Sequence, residues 1–396
     1  MSKIVFHKIN PKTIMFLFVA QLLFLSCLRP EFLIKSIIID TGLRIILLAF
    51  SLIMLALYFI NVKKLKFSTY LGTYMLALLI PTILYNSSLE NLFFFAKTYI
   101  SIWALVVFGE LEILNGHKKR LLYSISFFSI LMTSLNIVFI LSFGKDYLGD
   151  RSAFLGYDNT TLPFILFGSV IAIATPFILE KKHLSALSLT SFIAIVANCL
   201  LVESSNAKIA AIMLIVFFAL ELFHIWDIPK LSKYLNLKIY LLLSIVAFLA
   251  IVVFRMQYLF ESFIVNDLHR NITITGRTTI WDKSIALFLQ NPIIGIGVED
   301  FSERTARIGL FHAHSTYLNI ALEGGIMAIV AYLNIFLKTW ARIKRNRSDK
   351  SVTILSFGIL IYFIISIIEF YRLSHMTYAL LLLLFYSEKT KSEKMR

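Results

Sequence analysis

Apolar runs of roughly bilayer-crossing length recur along almost all of this 396-residue chain, and they fix its class before any motif is read. A spanning helix needs about 20 predominantly apolar residues. About twelve runs approach that length, near 13–28, 44–61, 67–86, 91–109, 121–144, 160–180, 184–202, 207–226, 239–255, 314–340, 352–369 and 373–387. The FLIKSIII stretch at 32–39 reads as interfacial or as part of a tilted span. A soluble domain is roughly half apolar and a quarter charged. This chain is 59% hydrophobic and 15% charged. It therefore reads as an all-α polytopic membrane protein with a single integral membrane domain over 1–396. The opening segment joins a basic head to an apolar run and has no small-x-small cleavage site, so it reads as a retained first span.

The net charge of +15 would suit a nucleic-acid partner if it were clustered on a soluble face. It is distributed by topology instead. With the N-terminus in the cytoplasm, every inner connector is basic, as in Lys63, Lys64, Lys66 and in Lys118, Lys119, Arg120. The outer connectors 87–90 and 203–206 carry no Lys or Arg. This is the positive-inside pattern. It predicts both termini in the cytoplasm and leaves no call for nucleic acid. Cys27 and Cys199 each lie within apolar runs and read as small hydrophobes. The sequence has no P-loop, zinc motif or dinucleotide fingerprint, so no cofactor is expected.

One connector breaks the rule of short loops. Residues 256–313 form a long segment that this topology places outside the cytoplasm, and a loop of that length within a compact membrane protein is usually functional. Short helices are expected within it. Ile280, Trp281, Ile285, Phe288 and Leu289 recur at helical spacing, and Asn291-Pro292 ends the run. Trp281 and Phe288 read as anchors at the membrane interface.

Charged groups gather on the same side. Arg277 follows Gly276, His312 and His314 precede the next apolar run, Arg151 lies in the 145–160 connector, and Glu369 and Arg372 end the eleventh run. Lys208 sits about one turn inside the eighth. An ionisable group at membrane depth marks a functional site or a partnered charge, although a lysine near the surface also snorkels. Lys97 in the fourth run admits both readings. Arginine suits phosphate because its planar fork donates two hydrogen bonds. A histidine beside such cations is a base for an attacking hydroxyl. His314 is the candidate for that role. His312 reads equally as a helix-start residue, and His269 and His375 read as structural.

In order, Gly276-Arg277-x-x-x-Trp281, Asn291–Gly297 (NPIIGIG) and His312–Gly325 (HAHSTYLNIALEGG) resemble the C-terminal signature of the O-antigen ligase and Wzy-type polysaccharide polymerase superfamily of bacterial, GT-C-like membrane glycosyltransferases. Arg151 with Gly156 and Asn159 resembles an outer-loop motif of that family, and SSNAKIAAIML resembles its Ser-Arg helix start. The resemblance covers roughly 150–375. It implies inverting, metal-independent glycosyl transfer from an undecaprenyl-diphosphate-linked oligosaccharide at the outer face of the bacterial inner membrane. Carried over, His314 is catalytic and Arg277, Lys208 and Arg151 bind the donor diphosphate. His312, Glu369, Arg372 and Trp281 support them. Ala207-Lys208 stands where the family often has Ser-Arg, which keeps the charge but loses the fork. The acceptor glycan would be a second lipid-linked repeat unit for a polymerase, the favoured reading, or lipid A-core for a ligase. Membrane lipids and a chain-length regulator are the further partners implied. A transporter of lipid-linked oligosaccharide or a small anion is the alternative of another class. The one-sided collection of reactive groups argues against alternating access.

Overall fold

The computed structural model describes residues 11–179, 185–222, 236–261, 276–344, 346, 349–371 and 374–387. Among these it is helical, with only isolated bridges at Gly149–Ser152 and Ser152–Tyr157. The helices are α1 (Pro11–Leu28), α2 (Glu31–Ile34), α3 (Ile37–Asn61), α4 (Lys66–Tyr85), α5 (Leu89–Phe95), α6 (Ser101–Leu114), α7 (Lys118–Phe143), α8 (Asp158–Ile178), α9 (Ala186–Leu201), α10 (Ser205–Leu222), α11 (Leu237–Phe248), α12 (Arg277–Gln290), α13 (Phe301–Ile308), α14 (Thr316–Ile343), α15 (Lys350–Ser366) and α16 (His375–Phe385). A π-helical turn, Ala96–Ile100, joins α5 to α6, and another, Leu249–Val253, prolongs α11.

Six helical segments are long and apolar enough to cross a bilayer: Ile37–Asn61, Lys66–Tyr85, Leu89–Leu114, Lys118–Phe143, Asp158–Ile178 and Thr316–Ile343. Shorter apolar helices occupy the other runs, from Ile14–Leu28 to His375–Phe385. The chain is thus a multi-pass helical membrane protein. α8 lies at its centre, with 83% of its apolar window buried against 22% for α3, whose outward face of Ile37, Ile38, Ile45 and Leu48 is open to lipid. Two helices end short of the apolar runs that contain them. α15 stops at Ser366 and α14 starts at Thr316, which leaves Glu369, His312 and His314 in connectors.

Buried polar groups tie the helices together, as a low-dielectric interior requires. Asn136 of α7 donates to Asn198 of α9 at 2.8 Å. At the opposite end of the bundle from His314, Glu110 of α6 caps α4. It accepts from the backbone N–H groups of Phe67 and Ser68 at 2.8 Å and from the Tyr386 hydroxyl at 2.5 Å.

The long connector is docked on the bundle through a break in α14. Gly325 has φ 60° and ψ −158°, a conformation open essentially only to glycine. The break frees backbone groups on either side, and the 291–297 turn satisfies them. Ile296 and Gly297 donate to the carbonyls of Leu322 and Glu323 at 2.9 and 3.0 Å, while Ile326 and Met327 donate to Pro292 and Ile293 at 2.9 and 3.0 Å. Beyond this turn, Asp300 caps α13 through the N–H groups of Ser302 and Glu303, and Gly309 ends it in the left-handed conformation. Arg304 of α13 is wholly buried between Glu299, at 2.6 Å, and Glu323 of α14, at 3.4 Å. Asn91 of α5 adds bonds to the Asp300 N–H and to Glu303 at 2.7 and 2.8 Å. The segment carrying the two histidines is therefore held on a rigid support.

α12 forms where helical spacing predicts it, but Trp281 is no interface anchor. It is 0% exposed, with the Arg255 guanidinium 4.8 Å from its ring centroid. Arg255, in the left-handed region at φ 56°, also donates to the carbonyls of Val252 and Thr278 and pairs with Asp282. An amphipathic stripe does not tell whether its apolar face meets lipid or protein, and here Ile280, Trp281 and Ile285 meet protein while Leu289 is 66% exposed.

Candidate active site

Glu369 is the hub. It sits in the turn after α15 and is 3% exposed. Its Oε1 lies 2.9 Å from His314 Nδ1, and its Oε2 accepts from Arg277 Nη2 at 3.1 Å and Asn159 Nδ2 at 3.3 Å. Arg277 also donates to the Ile368 carbonyl. The backbone of the same turn is fixed. Thr316 N and Oγ1 both donate to the Glu369 carbonyl at 3.0 Å, and Tyr371 N donates to Thr316 Oγ1 at 2.9 Å. The hub is thereby locked to the first turn of α14, immediately after His314.

The hydrogen bonds determine which nitrogen does what. His314 N donates to His312 Nδ1 at 3.1 Å, so His312 Nδ1 carries no proton. Burial, together with the neighbouring His314 ring and the Arg277 charge, pushes the His312 imidazole down to about 3, so it stays neutral. A proton on His314 Nδ1 points at the carboxylate, which leaves Nε2 as the acceptor. His314 itself has φ 45°, uncommon for a residue with a Cβ and a kind of strain that concentrates at functional sites. Burial raises the Glu369 carboxyl. The His314 hydrogen bond and the Arg277 charge outweigh it and hold the group at about 2, well inside the ionised range. The result is a histidine oriented by an ionised, buried carboxylate, the arrangement that makes imidazole a general base.

His312, His314 and Glu369 place donor atoms within 4.8 Å of one another, a donor set that suits a transition metal. Arg277 already occupies the carboxylate's other oxygen. A divalent ion would have to share that anion beside a guanidinium, so charge complementarity favours the hydrogen-bonded triad.

The other expected residues are distributed unevenly. Arg151, in the left-handed region at φ 53°, is forked onto Asp158 at 2.8 and 3.1 Å, and its positive charge is spent there. Asp158 adjoins Asn159, which bridges Glu369 and Ser204. Ser204 accepts from Ala207 N, and Asn206 donates to the Tyr371 hydroxyl at 3.1 Å. The first turn of α10 is thus attached to the hub. Lys208 emerges from it exposed, with no ion pair or side-chain hydrogen bond among the described residues. Trp281 is a packing residue below Arg277. Arg372 and His269 lie outside the described residues. His375 shares a hydrogen bond with Ser101 at 3.1 Å. The sequence reading met Asn159 only as part of the outer-loop motif and did not single out Asn206 or Thr316, which are ordinary in any local pattern. Arg255 carried a usable signal, an arginine ending an apolar run.

The fold and the site define a multi-pass helical membrane protein with a histidine–glutamate–arginine cluster at one end of its bundle. Residues 189–333 match the family model described as O-Antigen ligase, a stretch that contains Lys208, Arg277, His312 and His314. A further similarity is to the exopolysaccharide production protein ExoQ of Rhizobium meliloti (strain 1021), 24% identical over an alignment 120 residues long that covers 26% of this chain. The matched stretch spans 27% of that relative's length. The family resemblance read from the sequence is borne out by the match over residues 189–333.

Proposed function

We propose that this protein is a polysaccharide polymerase that joins undecaprenyl-diphosphate-linked repeat units at the outer face of the bacterial cytoplasmic membrane. The observation that carries the reading is the His314–Glu369–Arg277 triad, a base oriented by an ionised carboxylate beside a fixed cation. His314 Nε2 takes the proton of an acceptor hydroxyl as its oxygen attacks the anomeric carbon of the donor sugar. The bond from that carbon to the diphosphate oxygen breaks, configuration inverts, and the electron pair leaves with the lipid diphosphate. Glu369 stabilises the imidazolium that forms. The leaving group gains charge as the bond breaks, and a cation brought against it stabilises that charge. Lys208 supplies that charge, because Arg151 and Arg277 are already paired with Asp158 and Glu369. Twelve crossings with both termini in the cytoplasm put the triad on the outer side, and the basic inner connectors support that orientation.

The family model's description favours a second reading, a ligase that passes finished polysaccharide to lipid A-core. Deletion and complementation distinguish the two on a surface-polysaccharide gel. A polymerase leaves single repeat units on the final acceptor, whereas a ligase leaves long chains on the lipid diphosphate. Lipid-linked units accumulating on the inner leaflet would overturn both.

A further inference from the structure

The same end of the bundle carries a second group of cations that this reaction does not use. The segment after α1 pairs with the 145–157 connector, through Glu31 N to Leu155 O and Phe32 N to Phe154 O, each 3.2 Å. That connector leads to Asn159 and the hub, so Arg29 and the start of α3 lie at the level of the candidate active site. Arg29, in the left-handed region at φ 48°, donates through Nε to Asp40 Oδ1 at 3.1 Å. Arg44, one turn further along α3, donates through Nε to Asp40 Oδ2 at 2.8 Å. One carboxylate therefore fixes two guanidinium groups and leaves one positive charge unbalanced.

Lys97 adds another. It belongs to the π-helical turn Ala96–Ile100 and lies within electrostatic reach of Arg44, Arg29 and Asp40. Such turns interrupt α-helices mostly at functional positions. Lys97 is exposed, and among the described residues it has no ion pair or side-chain hydrogen bond. Eight residues separate it from Leu89 at the start of α5, about 12 Å along the helix axis. An ammonium at that depth is costly unless it meets a counter-ion. Three cations around one acid leave a net charge that a phosphate matches, with the lysine as the free point charge and the two arginines, whose forks are turned onto Asp40, adding to the local positive field.

The surroundings identify the carrier of that phosphate. α3 is the least enclosed of the long helices, and Ile37, Ile38, Ile45 and Leu48 on it are 82%, 85%, 61% and 61% exposed. A soluble anion has no use for such a face, whereas a lipid lays its hydrocarbon chain along it. We propose that Arg29, Arg44 and Lys97 hold the phosphate headgroup of a membrane lipid whose chain lies against α3, at a site distinct from His314. This lipid is either bulk anionic phospholipid or, on the reading given above, the polyprenyl-diphosphate-linked acceptor, which a polymerase must hold at the same time as its donor.

The test is lipid binding to the purified full-length protein, followed by native mass spectrometry. The probes are phosphatidylglycerol, a polyprenyl diphosphate and, as neutral control, phosphatidylcholine. Lys97→Ala removes no internal contact, and Lys97→Ala with Arg44→Ala removes two of the three cations. The double variant is expected to lose about tenfold or more in affinity for the anionic lipids. Lys97→Arg is expected to retain it, and phosphatidylcholine binding is expected to stay constant. Equal losses for both anionic probes assign the site to bulk phospholipid, and a loss confined to the polyprenyl diphosphate assigns it to the acceptor. Unchanged binding of both by Lys97→Ala and by a double variant that melts as the wild type does would overturn the proposal. Because the readout is binding, its failure is separable from failure of the reaction assigned to His314.

Discussion

Replacing Glu369 by glutamine tests the triad most directly. The carboxyl is held at about 2 against an ordinary 4.5, despite burial that works the other way. Each pKa unit corresponds to about 1.4 kcal/mol, so the ionised form gains on the order of 3 kcal/mol from its partners. Those partners are His314 and Arg277, the groups to which chemistry is assigned. Glutamine keeps the shape but removes the charge, and it offers His314 Nδ1 an oxygen or an N–H with equal ease. The histidine then loses its fixed tautomer and the counter-charge of its imidazolium. If most of the 3 kcal/mol is felt in the transition state, kcat/KM falls by roughly 100-fold. The assay is chain extension on purified lipid-linked repeat units by the detergent-solubilised protein, with melting temperature measured in parallel. A Glu369→Gln protein that folds normally and keeps activity within about threefold of the wild type would refute the argument that the carboxylate orients the base.

Three other outcomes are expected. Lys208→Ala should lower activity by roughly 100-fold through the leaving group, while Lys208→Arg restores it, read in the same extension assay. A Cβ at Gly295 would lie 2.6 Å from backbone atoms of Glu323 and Gly324, at φ 72°, so Gly295→Ala should cost several kcal/mol and free the long connector to limited proteolysis. Acid should loosen the segment around His312. Its folded pKa, about 3, is below the ordinary 6.5, so the unfolded segment binds the proton first as pH falls. Stability is full above 6.5 and declines toward 3, by about 2 kcal/mol at pH 5. Glu369 adds a loss of the same sign only below 4.5. Amide exchange of residues 309–316, corrected for intrinsic rate, should rise between pH 6.5 and pH 5.

What the sequence disclosed follows from the range over which each signal acts. Apolar runs are local, so each of the runs read from the sequence contains a helix, including the short last one at His375–Phe385. The cluster of Arg277 and His314 with Glu369 was visible as charges on one side of a topology. The pairing of Arg277 with Glu369 crosses 92 residues, and no local pattern records it. The same distance effect hid the interlock of NPIIGIG with the break at Gly325. In the sequence the two stand as separate pieces of one signature, whereas in the fold each supplies the backbone partners that the other lacks. Trp281 was misplaced for a related reason. Helical spacing defines its stripe, but the partner of that stripe is Arg255, which approaches from another element.

The distribution of paired and unpaired charge supports the functional assignments. Arg151, Arg277, Arg304 and Arg255 each find a carboxylate, on Asp158, Glu369, Glu299 and Asp282. A buried cation without a partner would be costly, so these arginines are stable with no ligand present and their first role is to fix backbone and carboxylate geometry. Lys208 and Lys97 differ: both are exposed and without an ionic partner among the described residues. Lysine suits such a position. Its ammonium tolerates solvation while the site is empty and moves to a phosphate when one arrives, at a smaller geometric demand than the guanidinium fork makes. One of these lysines leaves the exposed face of α10, whose first turn is attached to the hub through Ser204 and Asn206, and the other lies within electrostatic reach of the Arg29–Asp40–Arg44 group by α3. On the proposed reading, a polymerase that presents a lipid-linked donor to a lipid-linked acceptor needs two places where a lipid phosphate meets an uncommitted cation, and Lys208 and Lys97 are the two candidates for them.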